Sequence, residues 1–156
     1  GFLIALDQLT KMVILKNFYV GESHPVIQDI FHITYVRNPG AAFGFLSQSH
    51  PEFRDMFFLI VPLIAVVIIL NILRKVAEDD RFQVVALSMI FGGAIGNYID
   101  RIRFRYVVDF LDFHYKNVWS YPAFNVADMA IVTGVGFLVL IMIRDNKKAA
   151  ATAKQG

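Results

Sequence analysis

Cysteine is absent from the 156-residue chain, which excludes a thiol nucleophile, a disulfide framework and any thiolate metal site. Charge is scarce: Asp, Glu, Lys and Arg make up 18% of the residues, against about a quarter in a soluble domain. The net charge of +2 is small and scattered, so no nucleic-acid partner is expected. The four histidines, His24, His32, His50 and His114, show no His-x-x-x-His spacing and no neighbouring Glu. A zincin site is thereby excluded, and neither metal nor cofactor is expected.

What is abundant is apolar, and it comes in blocks. Hydrophobic residues form 56% of the chain. The cleanest block, Met56 to Leu73, carries no charge; at about 1.5 Å per residue it covers most of a roughly 30 Å hydrocarbon core. Pro62 is tolerable in such a helix. Residues 127–143 are equally apolar after their first turn. Residues 82–99 are rich in small side chains, and Gly92 and Gly96 form a Gly-x-x-x-Gly pair that signals close helix packing. Residues 1–15 form a shorter block that carries Asp7, Gln8, Thr10 and Lys11. It begins mid-pattern without an initiator Met, so residues are expected to precede it, and it has neither the basic flank nor the cleavage site of a secretory leader.

The expected fold is therefore a mainly α integral membrane protein in one domain, with four transmembrane helices at about 1–15, 56–73, 82–99 and 127–143. Lys and Arg number seven in the segment 74–83 plus the tail from Arg144, and seven in the two longer connections. By density the short segment and tail win. The positive-inside rule then puts 74–81 and the tail 144–156 in the cytoplasm, with 16–55 and 100–126 outside. Phe31-His32-Ile33-Thr34-Tyr35-Val36, ending at an Asn38-Pro39-Gly40 turn, reads as a strand. Tyr106-Val107-Val108 and the stretch around Val118-Trp119 read as shorter extended pieces. A small β-rich cap on the outer face follows, with Tyr115, Trp119 and Tyr121 in an interfacial aromatic belt.

Ionisable groups near a membrane are costly and mark candidate functional sites. Each also has a plainer explanation. Asp7 and Lys11 lie four apart on one helix face and can simply neutralise each other. Asn97 and Asp100 share a face at the end of the third block, where Arg101 can satisfy terminal carbonyls. Asp109 and Asp112 flank Phe110-Leu111 and could be ordinary turn acids. Asn125 is a good N-cap, with Asp128 complementing the helix dipole. The positions converge, however. The third block ends and the fourth begins on the same membrane face, and the connection between them carries Asp109. Asp109 and Asp128 can therefore approach one another, and two close carboxylates do not both ionise cheaply. One keeps its proton as general acid while the other activates water, which is the aspartic peptidase arrangement.

Three other functions compete with this one. A serine–lysine peptidase would need a serine near Lys11, yet Ser47, Ser49, Ser88 and Ser120 carry no motif. A small transporter could use Asp7, Lys11 and Asp128 as relay groups, but the acids cluster at one face and no inverted repeat is visible. A scaffold would leave the acid cluster unexplained.

Five stretches, in order along the chain, carry a family resemblance. Asp7-Gln8-Leu9-Thr10-Lys11, Asn38-Pro39-Gly40-Ala41-Ala42-Phe43-Gly44, Gly93-Ala94-Ile95-Gly96-Asn97-Tyr98-Ile99-Asp100-Arg101, Val107-Val108-Asp109-Phe110 and Phe124-Asn125-Val126-Ala127-Asp128 together resemble the signatures of bacterial lipoprotein signal peptidase, signal peptidase II. The resemblance implies a multi-pass enzyme of the bacterial inner membrane with its site near the outer leaflet. Its substrate would be a prolipoprotein bearing diacylglycerol on the lipobox cysteine, cut just before that residue. By motif match Asp109 and Asp128 are the catalytic pair, with Asp112 as a second acid near Asp109. Asp7, Lys11, Asn38, Gly40, Ala42, Phe43, Asn97, Asp100, Arg101 and Asn125 would bind substrate or support the site. Membrane lipid is the other expected partner, the chain is expected to act as a monomer, and the stretch from Ser47 to Arg54 is a candidate lid.

Overall fold

The computed structural model describes residues 1–40, 50–77, 80–116 and 118–153. In chain order it comprises α1 (Phe2–Asn17), β1 (Ser23–Ile27), β2 (Phe31–Asn38), α2 (Pro51–Leu73), α3 (Arg81–Phe104), β3 (Val107–Tyr115), β4 (Trp119–Ser120) and α4 (Val126–Ala153). Three helices are long and apolar enough to cross a membrane: α2, α3 and α4, over Glu52–Leu73, Arg81–Phe104 and Val126–Lys147. Their outward faces expose Ile64, Val67, Ile68, Val132, Leu140 and Met142, a surface that only a hydrocarbon solvent accommodates. The shorter α1, of 16 residues, is about 24 Å long at about 1.5 Å per residue. It exposes Phe2, Leu9, Met12 and Val13 while burying Asp7, Lys11 and Ile14, so its polar face points inward.

Two boundaries differ from the apolar blocks. Helix α2 starts at Pro51 rather than Met56, because proline suits the first helical position and Glu52 complements the N-terminal dipole. Helix α3 runs on past Arg101 to Phe104 and stops where Arg105 turns left-handed, its N–H bonding the Arg101 carbonyl at 3.1 Å. Asn97, Asp100 and Arg101 thus lie within a helix, and termination is not their role.

The small residues of α3 serve two neighbours. A Cβ on Gly92 would sit 3.3 Å from Leu3 Cβ of α1, and one on Gly96 would sit 2.6 Å from Asp7 Oδ2. Between them, a Cβ on Gly93 would overlap the Ala127 carbonyl oxygen of α4. Helix α3 therefore packs at near-backbone distance against α1 on one side and α4 on the other, as small-residue seams permit.

The strands form one antiparallel sheet in the order β1-β2-β3-β4. Val36 pairs with Asp109 and Asn38 with Val107, after an irregularity between Ile33 and Val36. Strand β1 has no counterpart among the extended pieces read from the sequence. It is a fully exposed edge strand that contains Pro25, and prolines are tolerated on edges but blur the pattern of a strand. The sheet lies across the end of the bundle where α1 and α3 finish and α4 begins. There Tyr35, Val108 and Phe110 pack on Ile14 of α1, with Phe18 and Val126 alongside. This packing fixes β3, and with it Asp109, against the helix ends.

Candidate active site

The residues singled out in the sequence meet at this junction of sheet and bundle. Lys11 is 1% exposed, and its three donor hydrogens face three acceptors. Nζ lies 2.9 Å from Asp7 Oδ2, 3.0 Å from Asp100 Oδ2 and 2.9 Å from Asn97 Oδ1. A buried ammonium is tolerable only when paired and fully hydrogen-bonded. Both carboxylates also accept backbone donors: Asp7 Oδ1 from the Ala127 N–H at 2.9 Å and Asp100 Oδ2 from the Val108 N–H at 3.0 Å. The pair thus does more than neutralise itself, since it ties α1 to the first turn of α4 and α3 to β3. Gln8 completes the knot by donating to Asp100 Oδ1 at 3.0 Å and to the Gly96 carbonyl at 3.1 Å. Sequence reasoning left Gln8 out of the site. Its signals were an amide in an apolar helix, one residue from Asp7, and its place in the first of the family-like stretches.

Asp109 and Asp128 sit above this knot, and a single asparagine touches both. Asn125 Nδ2 donates to Asp109 Oδ1 at 2.7 Å, while Asn125 Oδ1 accepts the Asp128 N–H at 2.9 Å. Asp128 Oδ2 in turn accepts the Asn125 N–H at 3.2 Å. Asn125 and Asp128 therefore form a reciprocal capping box at the start of α4. The plain capping role and a role at the site coincide, because the box holds the Asp128 carboxylate in place.

Two further amides complete the set of donors. Asn38 Nδ2 reaches Asp109 Oδ2 at 2.9 Å, and Asn97 Nδ2 reaches Asp128 Oδ1 at 2.7 Å. Each of the four carboxylate oxygens thus accepts one N–H from a neutral donor. Gly40 holds the turn that delivers Asn38: its φ is +94°, and its N–H donates to Asn38 Oδ1 at 2.9 Å. Arg101 donates weakly to the Asn97 carbonyl at 3.4 Å and lies over the Phe58 ring of α2. Ala42 and Phe43 lie outside the described residues, as does the Ser47–Ser49 part of the candidate lid, whereas 51–54 form the first turn of α2.

Asp109 is 1% exposed. Burial first, and then the nearby Asp128, push its carboxyl up to about 7 against the opposing Asn38 and Asn125 amides and the Lys11 charge. At neutral pH it is therefore poised between its acid and base forms. Asp112 differs: it accepts the Thr34 hydroxyl at 2.8 Å and lies 3.6 Å from His114 Nδ1, and no amide of the site reaches it. Among the described residues, no group of three His, Cys, Asp or Glu side chains is arranged to hold a metal ion.

Two openings lead to the carboxylates. A cavity of about 530 Å³ lined by Phe113, Trp119, Phe124, Asp128, Met129 and Val132 runs down the lipid-facing side of α4. One of about 370 Å³, bordered by Arg37, Asn38, Asp109, Asp112 and Ser120, opens through the sheet. One carboxylate thus borders the groove along α4 and the other the opening through the sheet.

A family model described as signal peptidase (SPase) II matches residues 1–144. A lipoprotein signal peptidase of Syntrophus aciditrophicus is 49% identical over 148 residues, covering 95% of this chain and 91% of the relative. One of Geobacter metallireducens is 46% identical, covering 93% and 88%. Among solved structures, a bacterial membrane enzyme determined by the in meso method superposes with a TM-score of 0.83 at 35% identity, covering 94% of this chain and 86% of that one.

Proposed function

The chain belongs to the signal peptidase II family of membrane peptidases, and from that premise we propose that Asp109 and Asp128 are its catalytic pair. The observation that carries the reading is that Asn125 bonds both carboxylates, its side-chain amide donating to Asp109 Oδ1 and its backbone N–H to Asp128 Oδ2, while each carboxylate borders a cavity. The substrate is a prolipoprotein carrying diacylglycerol on its lipobox cysteine, and the bond cut is the one before that cysteine.

In the reaction, the ionised member of the pair takes a proton from water as the water oxygen attacks the scissile carbonyl. The protonated member donates to the carbonyl oxygen. The tetrahedral adduct then collapses, the C–N bond breaks, and the leaving amine takes up a proton returned by the pair. The polarised environment of Asp109 suits it to begin as the acid, with Asp128 as base.

The proposed setting rests on this arrangement together with the positive-inside tally. With α1 as a fourth, short span, both termini and the α2–α3 connection lie on one side and the sheet on the other. Sheet and site are then at the outer leaflet of the bacterial inner membrane. The apolar groove along α4 suits the acyl chains, and the opening beside Arg37, Asn38 and Asp109 suits the peptide leaving toward the sheet. Asn38, Gly40, Asn97, Asp100, Arg101, Asp7, Lys11 and Asn125 support the site rather than react.

Cleavage of a diacylglyceryl-modified prolipoprotein in detergent tests the assignment. Asp109→Asn and Asp128→Asn lose cleavage by about 10³-fold or more while remaining folded, the scale seen when a concerted acid–base unit is broken. Asp112→Asn stays within about twofold of wild type, since a pair of groups acts as one unit and Asp112 is outside it. Retained cutting by either of the first two variants refutes the pair.

A further inference from the structure

The outline of a side-chain amide does not say which end is nitrogen; its partners do. Each asparagine at the carboxylate pair has its oxygen held by a group that donates and does not accept there. For Asn38 that group is the Gly40 backbone N–H, and for Asn125 it is the Asp128 backbone N–H. These two anchors are main chain and local, two and three residues away. For Asn97 the anchor is a side chain from another helix, the Lys11 ammonium at 2.9 Å.

We propose that Lys11 is a positioning residue: by holding Asn97 Oδ1 it fixes the direction of that amide, so that Nδ2 must face Asp128. A lysine has three donors and no acceptor, so the reversed amide would set NH₂ against NH₃⁺ and carbonyl oxygen against carboxylate. Asp7 and Asp100 grip the ammonium at 2.9 and 3.0 Å and keep it from turning away. The second donor on Asn97 Oδ1, Asn125 Nδ2 at 3.0 Å, also serves the Val108 carbonyl at 3.3 Å and Asp109 at 2.7 Å. It divides two hydrogens among three acceptors, and the charged, dedicated Lys11 contact is the stronger tether. The function of the Asp7–Lys11–Asp100 knot, on this account, is to export a fixed hydrogen-bond direction from α1 through α3 to α4. Lys11 makes no described hydrogen bond to Asp109 or Asp128; its charge reaches both across space, but its hold on the direction of the amide passes through Asn97.

The inference rests on the peptidase reading, but its first test does not require cleavage. In full-length protein in detergent, carrying ¹⁵N-labelled asparagine, the Asn97 side-chain signal is assigned by its loss in Asn97→Asp. In wild type that signal moves with pH in step with the carboxylate pair, and it shifts in Asp128→Asn. In Lys11→Gln, whose amide can present either end, the signal loses that response. In the cleavage assay Lys11→Gln lowers kcat by about tenfold or more with KM within about twofold, and Lys11→Arg, again a pure donor, recovers part of the loss. Two results each overturn the inference: a wild-type Asn97 signal indifferent to Asp128, or a folded Lys11→Gln enzyme with kcat within about twofold of wild type. If Lys11→Gln does not fold, the wild-type signal decides alone. Failure of the peptidase reading looks different, because Asp109→Asn and Asp128→Asn would then still cut whatever the Asn97 signal does.

Discussion

Replacing Gly93 with alanine adds one methyl group where the structure has no room. The new Cβ would overlap the Ala127 carbonyl oxygen and lie 2.7 Å from Ile131 Cγ1. The first obstacle is backbone in the opening turn of α4 and has no rotamer to change, so α3 and α4 must separate by about 1 Å to reach ordinary contact. Overpacking of this kind costs about 1–3 kcal/mol of stability. The larger effect falls on the site. Asn97 is one helical turn beyond Gly93, and Asp128 follows Ala127. Their hydrogen bond of 2.7 Å spans the very seam that opens, and about 1 Å of added length takes it beyond bonding distance. A hydrogen bond to a charged group is worth about 1.5–3 kcal/mol, which corresponds to a fall in kcat of about 10- to 150-fold. Gly136 supplies the control: a Cβ there meets nothing within 4 Å, so Gly136→Ala leaves cleavage unchanged. Prolipoprotein cleavage and thermal unfolding in detergent measure the two effects side by side. The reasoning is refuted if Gly93→Ala cuts within about twofold of wild type, or if Gly136→Ala is equally impaired.

Other consequences are equally direct. Because Asp109 is raised from 3.8 to about 7, the folded state binds that proton more tightly than the unfolded chain does. Its stabilising contribution is complete below the unfolded value and is lost as pH rises through about 7, at up to about 1.4 kcal/mol per unit. The unfolding temperature of wild type therefore falls between about pH 4 and pH 7, and Asp109→Asn flattens that fall; parallel slopes would contradict the assignment. Asn38→Asp replaces the donor on Asp109 Oδ2 by an acceptor of like charge. Cleavage falls by about tenfold or more at pH 7 and recovers partly at lower pH, which a pH–rate profile would show. Gly40→Ala must hold a Cβ at φ +94° and against the Phe58 ring; the strain is about 1–3 kcal/mol, and a lowered unfolding temperature together with a raised KM is expected.

The features legible along the chain alone were short in range or continuous in pattern. Uninterrupted apolar runs marked α2, α3 and α4 because lipid selects on the hydropathy of a whole span. The Asp7–Lys11 pair, and Asn125 as an N-cap with Asp128 in the first turn, were legible because helical geometry puts partners three or four residues apart, and β2 was legible from its β-branched and aromatic run; the reciprocal bonds of the capping box came from the structure. Family resemblance then pointed to Asp109 ahead of Asp112, a choice that spacing alone did not make. Tertiary structure decided the rest. The Asn38–Asp109, Asn97–Asp128 and Lys11–Asn97 bonds join residues 71, 31 and 86 positions apart, and no local rule reaches that far. They exist because glycines at 92, 93 and 96 let α3 approach both α1 and α4, and because the register of β2 on β3 sets Val36 beside Asp109. Asp112 faces Thr34 and His114 instead. The composition of the site was written along the chain, whereas which oxygen accepts from which amide was settled only by helices packed at backbone distance and a sheet laid across their ends.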